Sequence, residues 1–208
     1  MFVVIEGPNG TGKTTLIKNL AEEGYRTLSS PAGTPLAQHL RPACRGVAPW
    51  EDIDKRIQFL LFSAARMDEY LRIVKDSSTT VVADRWWIST YVYQCKLQGI
   101  PIDFLHHTIP IEEKIDLVIL LTADFSILRE RAEAERKRNP LHGHCTWSKD
   151  EQVMQKVYDI YKSDLPAFLH QMSIPFDIYD TSELTQKQIL GIVKRRIGYS
   201  EIQKESDK

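Results

Sequence analysis

The sequence contains few cysteines, no long apolar run and no surplus of charge of one sign. Its 208 residues include only three cysteines, Cys44, Cys95 and Cys145, and no two of them form a CxxC pair. A sparse, odd set of cysteines is typical of reduced thiols inside the cell. No run approaches the roughly 18 apolar residues of a membrane span. We therefore expect a cytoplasmic protein that does not bind membranes.

The acidic and basic residues almost cancel. The chain has 27 Lys and Arg against 28 Asp and Glu, a formal net charge of −1. This balance, and the lack of a basic stripe with interleaved aromatics, argue against a nucleic-acid-binding protein. Any contact with phosphate must therefore come from a few local side chains. The length suits one domain spanning residues 1–208.

One short segment contains three side chains that are common metal ligands. His142, His144 and Cys145 lie within the sequence HGHC. A zinc site normally needs four ligands, and no second cluster lies elsewhere in the sequence. We therefore favour a polar loop over half of a metal site.

Short apolar runs alternate with amphipathic stretches along the whole chain. This pattern predicts an α/β fold with a five-stranded parallel sheet flanked by helices. The strands are predicted at 2–6, 25–30, 79–84, 115–121 and 175–180. The helices are predicted at 13–22, 35–42, 50–75, 87–98, 125–137, 149–170 and 185–197. The polar tail, about 200–208, is expected to be frayed.

The first predicted strand leads into the sequence GPNGTGKT, residues 7–14. It fits the phosphate-loop pattern GxxxxGK[ST] between a strand and a helix, which predicts a P-loop NTPase fold. Lys13 would reach the β- and γ-phosphates and the Thr14 hydroxyl would ligate Mg²⁺. The predicted ATP-binding residues are Asn9, Gly10, Thr11, Gly12, Lys13, Thr14 and Thr15.

A second metal ligand is expected from a neighbouring strand. Asp84 ends the apolar run TVVAD, and Arg85 follows it directly. Ligands of open α/β sheets collect at the carboxyl ends of the strands. We therefore predict Mg²⁺ ligation by Asp84 and a functional role for Arg85 rather than a surface ion pair.

A phosphate loop alone does not identify the acceptor, because kinases, GTPases and motor ATPases share it. The guanine-reading motif NKxD is absent, which argues against a GTPase. Three further segments have a distinctive order: SSPAGTPL at 29–36, LFSAAR at 61–66 and DRWWISTYVYQ at 84–94. In order and spacing, these segments and the phosphate loop resemble thymidylate kinases, which transfer the γ-phosphate of ATP to dTMP.

The resemblance implies roles for the residues that match the family's motifs. Phe62 would stack on the acceptor base, Arg66 would hydrogen-bond it, and Arg85 would hold the 5′-phosphate. Tyr93 would lie beneath the sugar, where a 2′-hydroxyl would clash. The implied acceptor site comprises Asn9, Pro31, Phe62, Arg66, Arg85, Ser89, Thr90, Tyr93 and Gln94. The resemblance further implies a cis Ser30-Pro31 bond and a homodimer packed through helices beside this site.

An arginine-rich helix at 125–137 is interpreted as the start of a mobile lid, about 129–147. Thymidylate kinases place a catalytic arginine in the phosphate loop or in the lid, and the loop here has Gly10 where the first type has Arg. We therefore predict catalysis by Lys13, Arg85 and the lid arginines, which are Arg131, Arg136 and Arg138. Pairs such as Arg129 with Glu133 and Arg131 with Glu135 would form ordinary i,i+4 surface bridges.

The chain departs from the family pattern at three places. Asn9 replaces an acid in the phosphate loop, Ser29-Ser30 replaces Arg-Glu before Pro31, and Trp86 follows Arg85. The acceptor is expected to be a deoxypyrimidine monophosphate, with dTMP the first choice. A modified dUMP or a broader deoxynucleotide range stays open. So do a deoxynucleoside kinase, which typically has Glu-Arg-Ser at residues 84–86, and a nucleotide switch without kinase activity.

Overall fold

The computed structural model describes residues 1–47, 49–109, 113–138 and 150–206, without the side chains of residue 136 and residues 199–206. Its centre is a parallel sheet in the order β2-β3-β1-β4-β5. The strands are β1 (Phe2–Glu6), β2 (Arg26–Ser29), β3 (Val81–Asp84), β4 (Leu117–Thr122) and β5 (Phe176–Asp180). The predicted α/β fold with five parallel strands is confirmed.

Helices cover both faces of the sheet. They are α1 (Lys13–Glu22), α2 (Pro35–Cys44), α3 (Lys55–Glu69), α4 (Trp87–Thr90), α5 (Ile102–Thr108), α6 (Phe125–Arg138), α7 (Glu151–Asp159), α8 (Leu165–Gln171) and α9 (Gln186–Ser206). π-helical turns extend α3 over Tyr70–Val74 and α4 over Tyr91–Leu97, and a third, Ile160–Asp164, joins α7 to α8. In the described parts of the chain, no helix is long and apolar enough to cross a bilayer.

Two predictions about the helices were wrong. No element is predicted from the sequence at α5, which has only two turns and buries only Leu105. A single buried position gives no periodic signal. The last helix is predicted to end at 197 before a frayed tail, whereas α9 continues to Ser206. The tail is polar, but it lacks proline and is rich in Glu, Gln and Lys, which favour helix.

The core has two layers because successive side chains of a strand point to opposite faces. Val3 and Ile5 of β1 pack with residues of α1 and α9, whereas Phe2 and Val4 pack with residues of α3, α4 and α8. β1 lies between β3 and β4. The chain therefore leaves β1 at a topological switch point, where open sheets bind their ligands.

Candidate active site

The phosphate loop lies at the carboxyl end of β1 and leads into α1. Gly12 caps α1 in a left-handed conformation, and Lys13 is buried with its Nζ donating to the Pro8 carbonyl at 2.7 Å. Gly7 must be glycine, since a Cβ there would lie 2.2 Å from the Leu121 carbonyl oxygen. The loop is thus held tightly against β4 at the amino end of α1, where backbone N–H groups can bind phosphate.

The residues expected to hold magnesium suit that ion. Asp84 ends β3 at the same edge of the sheet, and its Oδ1 is buried without a hydrogen-bonding partner. Thr14 lies exposed in the first turn of α1. Carboxylate and hydroxyl oxygens are suitable ligands for Mg²⁺ bound together with nucleotide phosphates. The described residues include no cluster of His, Cys, Asp or Glu that could hold a metal by itself, and His142, His144 and Cys145 lie outside them.

Arg85 links the phosphate loop to the acceptor side of the cleft. Its Nη2 donates to Asn9 Oδ1 at 2.8 Å, and its Nη1 donates to the hydroxyls of Ser89 and Tyr161, each at 3.1 Å. The guanidinium also lies over the ring of Tyr93. Burial lowers the pKa of Arg85, but Tyr93, Tyr161 and the nearby carboxylates outweigh it and leave the pKa well above its ordinary value. Arg85 therefore remains a cation.

The expected base-binding pair, Phe62 and Arg66, lies together on α3. The Arg66 guanidinium is 5.0 Å from the centroid of the Phe62 ring and donates to the Thr90 hydroxyl. Arg66 is buried, and its Nε has no hydrogen-bonding partner. Desolvation lowers the pKa of Arg66 to about 10, so it stays charged at neutral pH. A planar donor beside an aromatic ring suits the recognition of a flat base.

The remaining acceptor residues lie on α4 and its π-helical extension. Ser89, Thr90 and Gln94 are buried, and Tyr93 lies partly exposed beside Arg85. Ser89 donates to Glu6 at 2.8 Å and accepts from Arg85. In this structure Ser89 therefore contacts the residue expected to hold the phosphate, rather than acting only near the base.

The loop after β2 is fixed by a carboxylate that the sequence analysis missed. Glu69 at the end of α3 is fully buried and accepts from Ser30 Oγ at 2.6 Å and from the backbone N–H groups of Ala32 and Gly33 at 2.8 and 2.7 Å. Burial raises the pKa of Glu69, and these donors oppose that rise. The Ser30-Pro31 peptide bond is cis, as expected. Ser30 and Glu69 together hold the turn in which the family pattern has Arg-Glu.

A second missed carboxylate, Glu113, lies near Arg66. It accepts a hydrogen bond from the indole N–H of Trp86, while Nε1 of Trp87 has no partner with hydrogen-bonding geometry. Desolvation raises the pKa of Glu113 to about 7, against the opposing effects of the two indoles and Arg66. Trp86, one of the three departures from the family pattern, is therefore a fully buried core residue whose indole N–H holds Glu113.

The predicted lid arginines have different environments. Arg131 donates to the Gly10 carbonyl at 3.2 Å and to the Thr181 carbonyl at 2.9 Å, which ties α6 to the phosphate loop. Arg138 is exposed, with Glu135 at 3.9 Å. The side chain of Arg136 and residues 139–149 lie outside the described structure.

Arg129 and Arg131 bind partners outside α6 rather than only the expected i,i+4 glutamates. Arg129 pairs with Glu151 at 2.9 Å, across to α7, and Arg131 turns toward the phosphate loop. The i,i+4 pair found on this helix joins Glu133 to Lys137 at 2.8 Å. Tertiary contacts thus redirected two side chains that spacing alone had assigned to the helix surface.

A mainly apolar cleft opens beside the phosphate loop. It is lined by Pro8, Asn9, Tyr93, Phe125, Leu128, Met154, Val157 and Tyr158. Asn9 and Tyr93 face it from the phosphate loop and the acceptor side, respectively. One predicted ATP-binding residue and one predicted acceptor residue therefore share this cleft, whereas Arg66 lines a separate pocket with Ser63 and Glu113.

Comparison with known proteins gives a consistent result. The sequence model of the family described as thymidylate kinase matches residues 5–172. A probable thymidylate kinase of Methanococcus maripaludis is 33% identical, with 94% of each chain covered. A thymidylate kinase of Caldicellulosiruptor saccharolyticus is 28% identical, over 94% of this chain and 98% of its own. The crystal structure of thymidylate kinase from Ehrlichia chaffeensis superposes with a TM-score of 0.64 at 20% identity, covering 95% of this chain and 97% of that one.

Proposed function

This chain belongs to the thymidylate kinase family, and we propose that it transfers the γ-phosphate of ATP to dTMP, giving ADP and dTDP. The observation that carries the proposal is the 2.8 Å hydrogen bond between Arg85 and Asn9. It joins the residue expected to hold the acceptor phosphate to the loop expected to hold ATP. In-line phosphoryl transfer requires the two phosphates to adjoin in this way.

The reaction needs positive charge more than covalent chemistry from the protein. Lys13 binds the β- and γ-phosphates, and Arg85 orients the acceptor phosphate for attack. Thr14 and Asp84 would hold Mg²⁺, which neutralises charge on the phosphates when it is bound. The unpartnered Oδ1 of Asp84 supports this role.

The lid arginines complete the charge around the transferred group. Arg131 has the strongest structural support because its guanidinium contacts the phosphate loop at Gly10. We propose that Arg131 positions the loop and that Arg136 and Arg138 approach the phosphates when nucleotide binds. A catalytic role for Arg136 and Arg138 predicts a loss of kcat larger than the change in the KM for ATP when either is replaced by alanine, whereas Arg131→Ala should also raise that KM.

We propose that dTMP binds with its base on Phe62 and its edge toward Arg66. Thr90 holds Arg66, Gln94 lies on the same helix, and Pro31 borders the site on the loop that Glu69 fixes. Tyr93, beside Arg85, is suited to exclude a ribose 2′-hydroxyl. We propose that the substrate is a deoxyribonucleotide and that the protein works in the cytoplasm, where ATP and dTMP are available.

We propose that two copies pair through α3. Ile57 and Leu60 are about half exposed, and Ala64 follows them on the same face of this helix. The opposite side of α3 carries Phe59, which is buried in the core. Apolar side chains that lie together on the exposed face of a helix are typical of a protein interface. Such a dimer would place its contact on the helix that bears Phe62 and Arg66.

The decisive experiment is an acceptor panel in a coupled ADP-release assay. We expect dTMP to be preferred over dUMP, dCMP, dGMP, 5-substituted dUMPs and ribonucleotides. Lys13→Ala should lower kcat/KM by about two orders of magnitude or more, while Lys18→Ala, an exposed lysine on the same helix, should be close to wild type. Preference for a purine or a ribonucleotide would refute the proposal.

The same assay separates the other two classes. Phosphorylation of thymidine in place of dTMP would indicate a nucleoside kinase, and ATP hydrolysis unaffected by any acceptor would indicate a nucleotide switch. The thiols of Cys44 and Cys95 are buried and form no disulfide, and burial raises the pKa of each to about 11, so both remain protonated at neutral pH.

A further inference from the structure

Glu6 is a fully buried carboxylate for which the mechanism above has no role. It is the last residue of β1, directly before the phosphate loop, and its exposure is 0%. A buried carboxylate is costly unless it is paired and hydrogen-bonded. The partners of Glu6 therefore indicate why the position holds an acid.

The two carboxylate oxygens of Glu6 contact different groups around the expected acceptor-phosphate site. Oε1 accepts from the backbone N–H of Trp86 at 3.1 Å and from Ser89 Oγ at 2.8 Å. Oε2 lies 3.5 Å from Arg85 Nη1 and accepts from the Tyr161 hydroxyl at 3.0 Å. Oε2 also lies 3.4 Å from the N–H of Gly7, the first residue of the phosphate loop.

These contacts fix Arg85 at both ends. Its backbone has φ +67, a left-handed conformation that is uncommon for a residue other than glycine. The conformation is held on one side by the Arg85 N–H bonded to Ile5 O and on the other by the Trp86 N–H bonded to Glu6. The guanidinium is held through Nη1, directly by Glu6 and through Tyr161.

We infer that Glu6 is a positioning residue that holds Arg85 in place to bind the acceptor 5′-phosphate, and that Tyr161 bridges the two. Nη1 faces these buried partners, while Nη2 faces Asn9 on the phosphate loop. Because Asn9 is neutral, it adds no second negative charge to Arg85. Glu6 can therefore orient the guanidinium through Nη1, while the positive charge of Arg85 remains available to a phosphate on the Nη2 side. This inference rests on the proposed function, since it assumes that the ligand of Arg85 is the dTMP phosphate.

The test is whether Glu6 acts through Arg85. We expect Glu6→Gln, which keeps one oxygen for Trp86 N–H and Ser89 but turns an amide N–H toward Arg85, to weaken dTMP binding about tenfold. The KM for ATP should change by less than about twofold. Thymidine, which lacks the phosphate, should bind wild type and variant equally as an inhibitor.

A double-mutant cycle gives the sharper readout. In an Arg85→Met background, Glu6→Gln should no longer change the Kd for dTMP measured by calorimetry, because the residue it positions is gone. Tyr161→Phe removes a single hydroxyl and should show the same selective loss, smaller in size. It serves as the second variant if Glu6→Gln unfolds, and urea melts of each variant monitor folding.

Three results would overturn the inference. They are equal weakening of dTMP and thymidine, a rise in the KM for ATP as large as that for dTMP, and a Glu6→Gln effect that persists without Arg85. The proposed function fails in a different way. If wild type binds dTMP without phosphorylating it, that function is refuted while the cycle can still be measured. If wild type does not bind dTMP, both are refuted.

Discussion

Replacing Ser30 by alanine should destabilise the loop after β2 through a single hydrogen bond. Ser30 Oγ donates to Glu69 Oε2 at 2.6 Å, and the other carboxylate oxygen is used by the N–H groups of Ala32 and Gly33. Both Ser30 and Glu69 are buried, so water cannot easily replace the lost donor. A buried charged group that loses a partner costs about 2 kcal/mol, with a range of about 1–3.

The neighbouring serine is a matched control. Ser29 is exposed whereas Ser30 is buried. Ser29→Ala should therefore change the free energy of unfolding by less than about 0.5 kcal/mol. Urea unfolding followed by circular dichroism at pH 7 measures both variants. Ser30→Ala should also raise the KM for dTMP more than that for ATP, because the loop it holds borders the acceptor and not the phosphate loop.

The role of the carboxylate can be checked with pH. Burial raises the pKa of Glu69, so the folded protein protonates it more readily than the unfolded chain does. Removing the Ser30 hydroxyl costs less free energy of unfolding when Glu69 is a neutral acid than when it is a carboxylate. The penalty of Ser30→Ala should therefore shrink as the pH falls. A Ser30→Ala variant as stable as Ser29→Ala, or a penalty that is unchanged in a Glu69→Gln background, would refute the reasoning.

Three further predictions concern other parts of the molecule. The pKa of Glu113 rises from 4.5 to about 7, so its stabilising contribution is present below pH 4.5 and lost as the pH rises through 7. Glu113→Gln should remove up to about 3 kcal/mol of this pH dependence, measured by urea unfolding at pH 4.5 and 8; parallel profiles would contradict it. Gly10→Ala should cost at least about 1 kcal/mol more than Gly24→Ala, because both have φ +89 but only at Gly10 would a Cβ crowd the Leu128 carbonyl, at 3.2 Å. Leu60→Lys should convert a dimer to monomers in sedimentation with the fold retained, and an unchanged mass would rule out the α3 interface.

Local patterns were sufficient where the physics is local. The five strands were found because buried parallel strands read as short apolar runs, and all five lie within about two residues of their predicted bounds. α1 was placed at its observed bounds, Lys13–Glu22, because the phosphate loop fixes where it must begin. α5 was missed because a helix with one buried residue has no apolar periodicity. α9 was predicted too short because a polar sequence does not by itself end a helix.

The candidate site was predicted in its motifs but not in its supports. Phe62 and Arg66 meet because they are four residues apart on one helix, which the sequence shows directly. Arg131 was assigned a partner four residues away, yet it contacts Gly10, 121 residues distant. The choice of Arg131 between a nearby glutamate and a distant carbonyl depends on which elements lie next to α6, and the sequence does not show this.

The sequence by itself was sufficient for the reaction type, since the phosphate loop predicts a nucleoside triphosphate and the order of the acceptor motifs resembles thymidylate kinases, which implies phosphoryl transfer. The tertiary structure decided how those groups are held. Glu6 and Tyr161 are 155 residues apart, and Glu69 is 39 residues from Ser30, yet each pair forms one buried hydrogen bond. The partners that make a buried carboxylate stable come together only in the folded chain. The net charge of −1 does not show which carboxylates are buried.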